Sequence, residues 1–254
     1  MRIEPIAFLN AIRDPDRAKD NAFVTLFFVL AALSFSIAFF EFFSMVFIIF
    51  AAIAWWRDKR PGLFAEAAWI FLALYLGAAL LSLTQTDYPQ ASWRGIFKVV
   101  RQAALCAGAF AVIDSPKKFK RIFVWLLIIG GVISADAVLQ WLVGFDLIRS
   151  RRMTPFSAQT QRVTATFSHA NDFASFLCIV TPCYLTVAAG GFKRLFSPKF
   201  SVIFYAGLVL SLAALLGTFS RGAWIAVAAA AVLLALLRPN RLLVALCLGV
   251  IVWM

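Results

Sequence analysis

Long apolar runs separated by short polar and basic segments make up most of the chain. The runs lack the strict alternation of barrel strands, and backbone groups inside a hydrocarbon layer must be paired within their own segment, so the runs predict membrane-spanning helices. The predicted fold is therefore all-α: a polytopic transmembrane helical bundle of about eight complete spans plus a truncated ninth. We expect residues 1–254 to form a single membrane-embedded domain.

The length of each run predicts how the chain crosses the membrane. As one helix, the run from Ala22 to Trp56 would be about 52 Å long against a hydrocarbon core of about 30 Å, which predicts a hairpin turning near Ser36 to Glu41. The last run, Leu242 to Met254, is only about 20 Å long as a helix, so it is either a re-entrant segment or, as we expect, an interrupted span of a longer protein. The other predicted spans cover approximately residues 63–83, 96–113, 122–143, 173–189, 201–217 and 223–237.

Composition and charge agree with this fold class. Hydrophobic residues make up 63% of the chain and charged residues 14%, against roughly 45–50% and 25% in soluble domains. The net charge of +12 lies mostly in short loops, where it predicts topology and contact with anionic lipid headgroups rather than nucleic-acid binding. The loops richer in lysine and arginine indicate a multi-pass membrane protein with a cytoplasmic N-terminus.

The loop between Gly144 and Asn171 does not follow the charge rule, because it is basic although it is predicted to be on the outer side. The planar guanidinium group suits phosphate, so the loop predicts binding of an anionic, phosphorylated substrate at the membrane surface. Arg162 and Arg221 are the best candidates, since both are predicted to reach the same membrane face. Alternatively, Arg221 caps the preceding helix or snorkels, and the first three loop arginines contact lipid phosphates or solvent. The loop carries Arg149, Arg151, Arg152 and Arg162.

A second cationic group enters the fourth predicted span from the same side. Arg94, Lys98 and Arg101 share one helical stripe. Lys98 and Arg101 each cost roughly 2.5–3.5 kcal/mol on insertion scales, so we expect them to face a cavity, a partner or the interface. The stripe is either an interfacial helix start with snorkelled side chains or one wall of a site for an anionic lipid.

Other polar residues in or beside the spans are weaker candidates. Asp136 is the deepest acid, either as a functional group or as a hydrogen-bond partner of a neighbouring helix. His169, the only histidine, is expected to be structural, and Asn171 and Asp172 to be helix N-caps. No metal-binding cluster, phosphate-cradling glycine loop or nucleophile elbow occurs, so we expect neither a metal nor a cofactor. The Gly130–Gly131 pair predicts close helix packing.

Several stretches of the sequence resemble the O-antigen ligase and O-antigen polymerase superfamily of bacterial membrane glycosyltransferases. Members commonly show an R-x-T-G-T-F-x-x-P-N-x-x-A segment and a T-x-S-R-G-A turn. Ala165 stands here in place of the usual glycine and Ala170 in place of the usual proline. The resembling stretches are S-W-R-G-I-F-K-V-V-R-Q, V-L-Q-W-L-V-G-F-D with R-V-T-A-T-F-S-H-A-N-D-F-A-S-F-L, and L-L-G-T-F-S-R-G-A-W.

The resemblance implies transfer of a glycan from undecaprenyl pyrophosphate to another sugar or to the lipid A core on the periplasmic face, without a metal. It implies that Arg162 and Arg221 hold the pyrophosphate, with support from Arg94 and Arg101, and that a large outer loop of the family follows this part of the chain. Fixed guanidinium groups would stabilise the negative charge that builds on the departing pyrophosphate. Secondary candidates are Lys98, Asp136, His169 and Asn171.

Two readings from other functional classes remain open at this point. A transporter or flippase of anionic lipid-linked substrates would also use arginines on the outer side and acids within the membrane, although the sequence shows no clear internal repeat of the kind common in transporters. A membrane scaffold without chemistry is the third reading.

Overall fold

The structure, a computed structural model, describes residues 15–35, 37–58, 67–150, 152–155, 161–190 and 198–237. The predicted all-α fold is confirmed, since helices account for most of the described chain and the only ladder there joins two-residue strands. Strand β1 (Thr154–Pro155) pairs antiparallel with β2 (Gln161–Arg162), and a 3-10 turn covers Leu83–Gln85. The helices are α1 Pro15–Phe35, α2 Ile37–Asp58, α3 Ala67–Ser82, α4 Pro89–Val112, α5 Pro116–Val143, α6 Ala170–Ala188, α7 Pro198–Gly217 and α8 Arg221–Leu237.

Helix length and hydropathy are compatible with a multi-pass membrane protein. Four of the described helical segments are long and apolar enough to cross a membrane: Ala38–Trp56, Ser92–Val112, Pro116–Val143 and Ala170–Ala188. Three further apolar helices are shorter: Ala73–Gln85, Val202–Gly217 and Arg221–Leu237. The count of eight spans and the cytoplasmic N-terminus stay predictions.

The chain divides into two compact units, Met1–Phe119 and Lys120–Met254. In the first unit, α1 and α2 pack against each other, and the rings of Phe28 and Phe43 stack with centroids 5.2 Å apart. The helix breaks between Phe35 and Ile37, so the predicted hairpin is confirmed, while Ser36 itself lies outside the described residues. Helix α4 packs on α2.

Glycines allow close helix packing in the second unit. A Cβ built on Gly130 of α5 would lie 2.3 Å from Val180 Cγ1 of α6, so no side chain fits there. Cβ atoms on Gly131 and on Gly207 of α7 would meet Tyr184 at 2.8 Å and 2.5 Å. The Tyr184 hydroxyl donates a hydrogen bond to the backbone oxygen of Leu127. The packing predicted for Gly130 and Gly131 is confirmed.

Several helices begin earlier than their apolar runs. Helix α5 starts at Pro116 rather than at residue 122, and α4 starts at Pro89 rather than at residue 96. Proline is favoured in the first helical turn. Lysine and arginine in such a turn can be helical while their long side chains keep the charges outside the apolar layer. In α5 the Lys118 ammonium lies 3.3 Å from the Asp114 carboxylate. Predictions for Arg151, for residues 63–66 and for the interrupted last run fall outside the described residues.

Candidate functional site

One end of the second unit brings together most of the candidate residues. Helices α5 and α7 finish there and α6 and α8 begin there, joined by the segment of residues 161–169. We call this region the loop end. Its backbone is strained at two non-glycine positions, since Ala165 has a φ of 46° and Phe219 has a φ of 50°. Such values cost more for a residue with a Cβ than for glycine, so tertiary contacts must hold both turns.

Gln140, near the end of α5, is the polar anchor of the loop end. Its side chain is fully buried. Its Oε1 accepts the backbone N–H groups of Thr164 and Ala165, both at 2.9 Å. Its Nε2 lies 3.4 Å from Thr164 Oγ1. Because one buried amide accepts both of these buried backbone donors, it restricts the conformation of the turn at Thr164 and Ala165.

Arg162 joins three parts of the loop end. Its Nε donates to the backbone oxygen of Thr218 at 2.6 Å, and its Nη2 donates to Asn171 Oδ1 at 2.6 Å. Beside it, the backbone N–H of Val163 donates to the backbone oxygen of Gly217 at 2.9 Å. These bonds satisfy carbonyl groups at the C-terminus of α7, which have no partner within their own helix. Arg162 therefore has a structural role at the position where the sequence predicted anion binding.

The turn from α7 to α8 places Arg221 differently. Arg221 is the first residue of α8 and is exposed, and its side chain makes no hydrogen bond or ion pair with another described residue. The carbonyl groups at the end of α7 have other donors: Arg162 for Thr218, and the indole N–H of Trp224 for Leu215 at 3.0 Å. The capping role considered for Arg221 is therefore wrong within the described part of the chain.

The charge of Arg221 does not stabilise its own helix. A cation at a helix N-terminus is opposed by the helix dipole, which favours negative charge at that end. The unpaired N–H groups of the first turn and a guanidinium group beside them attract an anion together. Thr218, whose carbonyl group Arg162 binds, precedes Arg221 by three positions, so both predicted arginines belong to the same end of the same unit.

The start of α6 corrects the predicted caps. The N-cap is His169, with extended φ and ψ and no side-chain capping bond, and its backbone oxygen accepts the N–H groups of Asp172 and Phe173 at 3.1 Å and 3.2 Å. Asn171 and Asp172 are the second and third residues of the helix, so their assignment as N-caps was wrong. Asn171 instead accepts the bond from Arg162, and Asp172 places negative charge where the helix dipole favours it. The side chain of His169 is exposed.

Asp136 holds the chain that leaves α5. It is buried, and its Oδ1 accepts the backbone N–H of Leu147 at 2.8 Å. Its Oδ2 is buried without a hydrogen-bond partner among the described residues. Asp146, also buried, accepts the backbone N–H of Arg149. Of the two roles considered for Asp136, the hydrogen bond goes to the loop that follows its own helix, not to a neighbouring helix.

The cationic stripe of α4 belongs to the first unit. Arg94 and Lys98 are exposed. Arg101 is mostly buried, its Nη1 lies 3.0 Å from Glu41 Oε1 of α2, and its guanidinium carbon lies 5.5 Å from the centroid of the Phe40 ring. Arg101 therefore faces a partner, which is one of the three surroundings expected for it. Glu41 lies within α2 rather than in the predicted turn.

No family model, curated protein or solved structure matches this chain. Among the described residues, no three His, Cys, Asp or Glu side chains are grouped so that they could hold a metal ion.

Sequence reasoning missed the residue that organises the loop end. Gln140 lies within an apolar run, four positions after Asp136 and therefore on the same face of α5. Two polar residues on one face of an apolar helix were a signal that a polar segment packs there, but the signal does not identify the segment. The partners of Gln140 are 24 and 25 positions away in the sequence.

Proposed function

We propose that the protein is a membrane glycosyltransferase of the O-antigen ligase and polymerase type, built on eight spans in the bacterial inner membrane. It transfers a glycan from undecaprenyl pyrophosphate to a sugar or to the lipid A core on the periplasmic face. The observation that carries the proposal is the placement of Arg221, exposed at the N-terminus of α8, in the turn whose backbone Arg162 binds.

The chemistry of this placement suits a diphosphate. In glycosyl transfer the leaving pyrophosphate gains negative charge, and prearranged cationic and N–H donors stabilise that charge without a metal. Arg221 and the first turn of α8 would bind the phosphate oxygens directly. Arg162 would orient the turn. The supporting role that the resemblance implies for Arg94 and Arg101, which lie in the first unit, remains a sequence prediction.

The backbone at Ala165 also supports the proposal. The family pattern has glycine at the position of Ala165, and the φ of 46° found there lies in the region that favours glycine. The left-handed backbone at this position is thus compatible with the glycine of the family pattern, even though this chain has alanine there.

The arginines can be tested in the bacterium that encodes the protein, with the gene deleted and restored as variants. We expect Arg221→Ala to reduce glycan transfer by about 10²–10³-fold, the usual effect of removing one donor to a developing anion, and Arg162→Ala to abolish it. The matched control is Arg121→Ala, which removes an exposed arginine of the same unit from the other end of α5 and should leave transfer unchanged. Transfer at the wild-type level by the Arg221→Ala variant would remove Arg221 from the site.

The location of the accumulated intermediate separates a transferase from a flippase. We expect the deletion strain to accumulate undecaprenyl pyrophosphate-linked glycan on the periplasmic face, where a lectin or an antibody reaches it in spheroplasts. Accumulation only on the cytoplasmic face would favour a flippase, because the substrate would then never have crossed the membrane. No accumulation on either face would contradict both functions.

A further inference from the structure

Gln140 connects α5 to the segment that carries Arg162. Its Oε1 accepts two successive backbone N–H groups, those of Thr164 and Ala165, and the side chain has no exposed surface. An apolar side chain of similar volume would fill the same space but would leave both N–H groups without this acceptor. The amide of Gln140 therefore contributes two hydrogen bonds in addition to filling space.

The segment held by Gln140 leads directly to Arg162. Within the turn, the backbone N–H of Phe167 donates to the oxygen of Thr164 at 3.0 Å. On the other side of Thr164, Val163 is buried and its backbone binds Gly217 at the end of α7. A Cβ on Gly217 would lie 3.0 Å from Val163 Cγ2, so the segment fits tightly against α7.

We propose that Gln140 is a positioning residue: its amide fixes the turn at Thr164 and Ala165 and thereby holds the Arg162 guanidinium against the turn that leads to Arg221. Gln140 acts through Arg162 and does not touch the substrate. The role in transfer rests on the proposed function, whereas the effect on the segment does not.

The effect on the segment can be measured by cysteine labelling of the whole protein in detergent. Val163→Cys places a thiol at a site that is 1% exposed, in a background without the chain's four natural cysteines. We expect this thiol to react slowly with a polar maleimide when Gln140 is present, and about tenfold faster or more in Gln140→Leu, since two backbone hydrogen bonds of the segment are then lost. An unchanged rate in Gln140→Leu would overturn the proposal.

Two further variants keep the test valid if Gln140→Leu does not fold. Gln140→Glu retains two acceptor oxygens at the same distance from the backbone, so we expect slow labelling. Gln140→Asn carries the same amide on a side chain shorter by one methylene, which places the oxygen out of reach, so we expect fast labelling. Equal labelling rates in these two variants would overturn the proposal.

Transfer measured in the same variants tests the connection to function. We expect the rate of glycan transfer to fall roughly 100-fold in Gln140→Asn, because a displacement of about 1 Å at a distance from the chemistry can cost this much. In Gln140→Glu we expect transfer near the wild-type level. Equal transfer by both variants, with labelling as expected, would overturn the positioning role. If the wild-type protein shows no transfer at all, the proposed function fails, and the labelling rates still decide whether Gln140 holds the segment.

Discussion

The side-chain oxygen of Gln140 accepts the backbone N–H of Ala165 at 2.9 Å, across 25 positions of sequence. Ala165 is fully buried and has a φ of 46°, a value that L-residues with a Cβ adopt only at a cost. The bond to Gln140 helps to offset that cost. A long-range hydrogen bond thus holds a local backbone conformation that the residue itself disfavours.

Ala165→Gly should destabilise the protein less than Ala137→Gly in α5. Both substitutions remove the methyl group of a fully buried alanine, which costs about 0.8 kcal/mol at either position. At Ala165, relief of the left-handed backbone contributes about 1–2 kcal/mol, which offsets the methyl loss and the cost of about 0.4–1 kcal/mol from the greater freedom of glycine in the unfolded chain. At Ala137, in a regular helix, glycine brings no such relief and costs about 1 kcal/mol. We expect a higher midpoint of thermal unfolding in detergent for Ala165→Gly than for Ala137→Gly, and the reverse order would contradict the φ found for Ala165.

Gly130→Ala should loosen the contact between α5 and α6. Its Cβ would lie 2.3 Å from Val180 Cγ1, too close for a relaxed contact, and overpacking of this kind typically costs about 1–3 kcal/mol. We expect a clear fall in the unfolding midpoint. Gly222→Ala in α8, where a Cβ would meet no atom within 4 Å, serves as the control and should cause no fall. Similar midpoints for the two variants would contradict the close approach at Gly130.

Asp136→Ala and Asp136→Asn should differ in stability. The alanine variant removes the acceptor of the Leu147 N–H and should cost about 1–3 kcal/mol, the usual effect of leaving a partly buried donor unpaired. The asparagine variant keeps an oxygen at this position, so we expect a smaller loss. Denaturation followed by tryptophan fluorescence would compare them, and equal losses would show that the bond to Leu147 contributes little.

Exchanging the charges of Glu41 and Arg101 separates two roles of Arg101. Each single substitution, Glu41→Arg or Arg101→Glu, should destabilise the protein, and the double substitution should restore stability because the ion pair is rebuilt in reverse. The coupling should be only about 0.2–1 kcal/mol, since the side chain of Glu41 is half-exposed and solvent screens the pair. We expect glycan transfer to stay low in the double variant if Arg101 supports binding of the diphosphate. Restored transfer would show that Arg101 acts only through Glu41.

Local features of the sequence determined the fold class of this protein, an all-α bundle of apolar helices. Apolar runs of sufficient length, separated by basic loops, predict helices in a membrane, and the run from Ala22 to Trp56 exceeds one membrane thickness, so it must fold back on itself. The structure has that break between Phe35 and Ile37. The basic character of the loop before α6 likewise singled out Arg162 as a candidate residue from the sequence alone.

Only the tertiary structure decided what those residues contact. Arg162 binds the carbonyl oxygen of Thr218, which is 56 positions away, and Arg101 pairs with Glu41 on another helix. Gln140 and Asp136 indicated only that something polar packs on their face of α5, and Asn171 looked like a cap. Hydropathy and helical period arise from neighbours along the chain and can be read from it, whereas these partners are set by how helices pack in space, which leaves no periodic trace in the sequence.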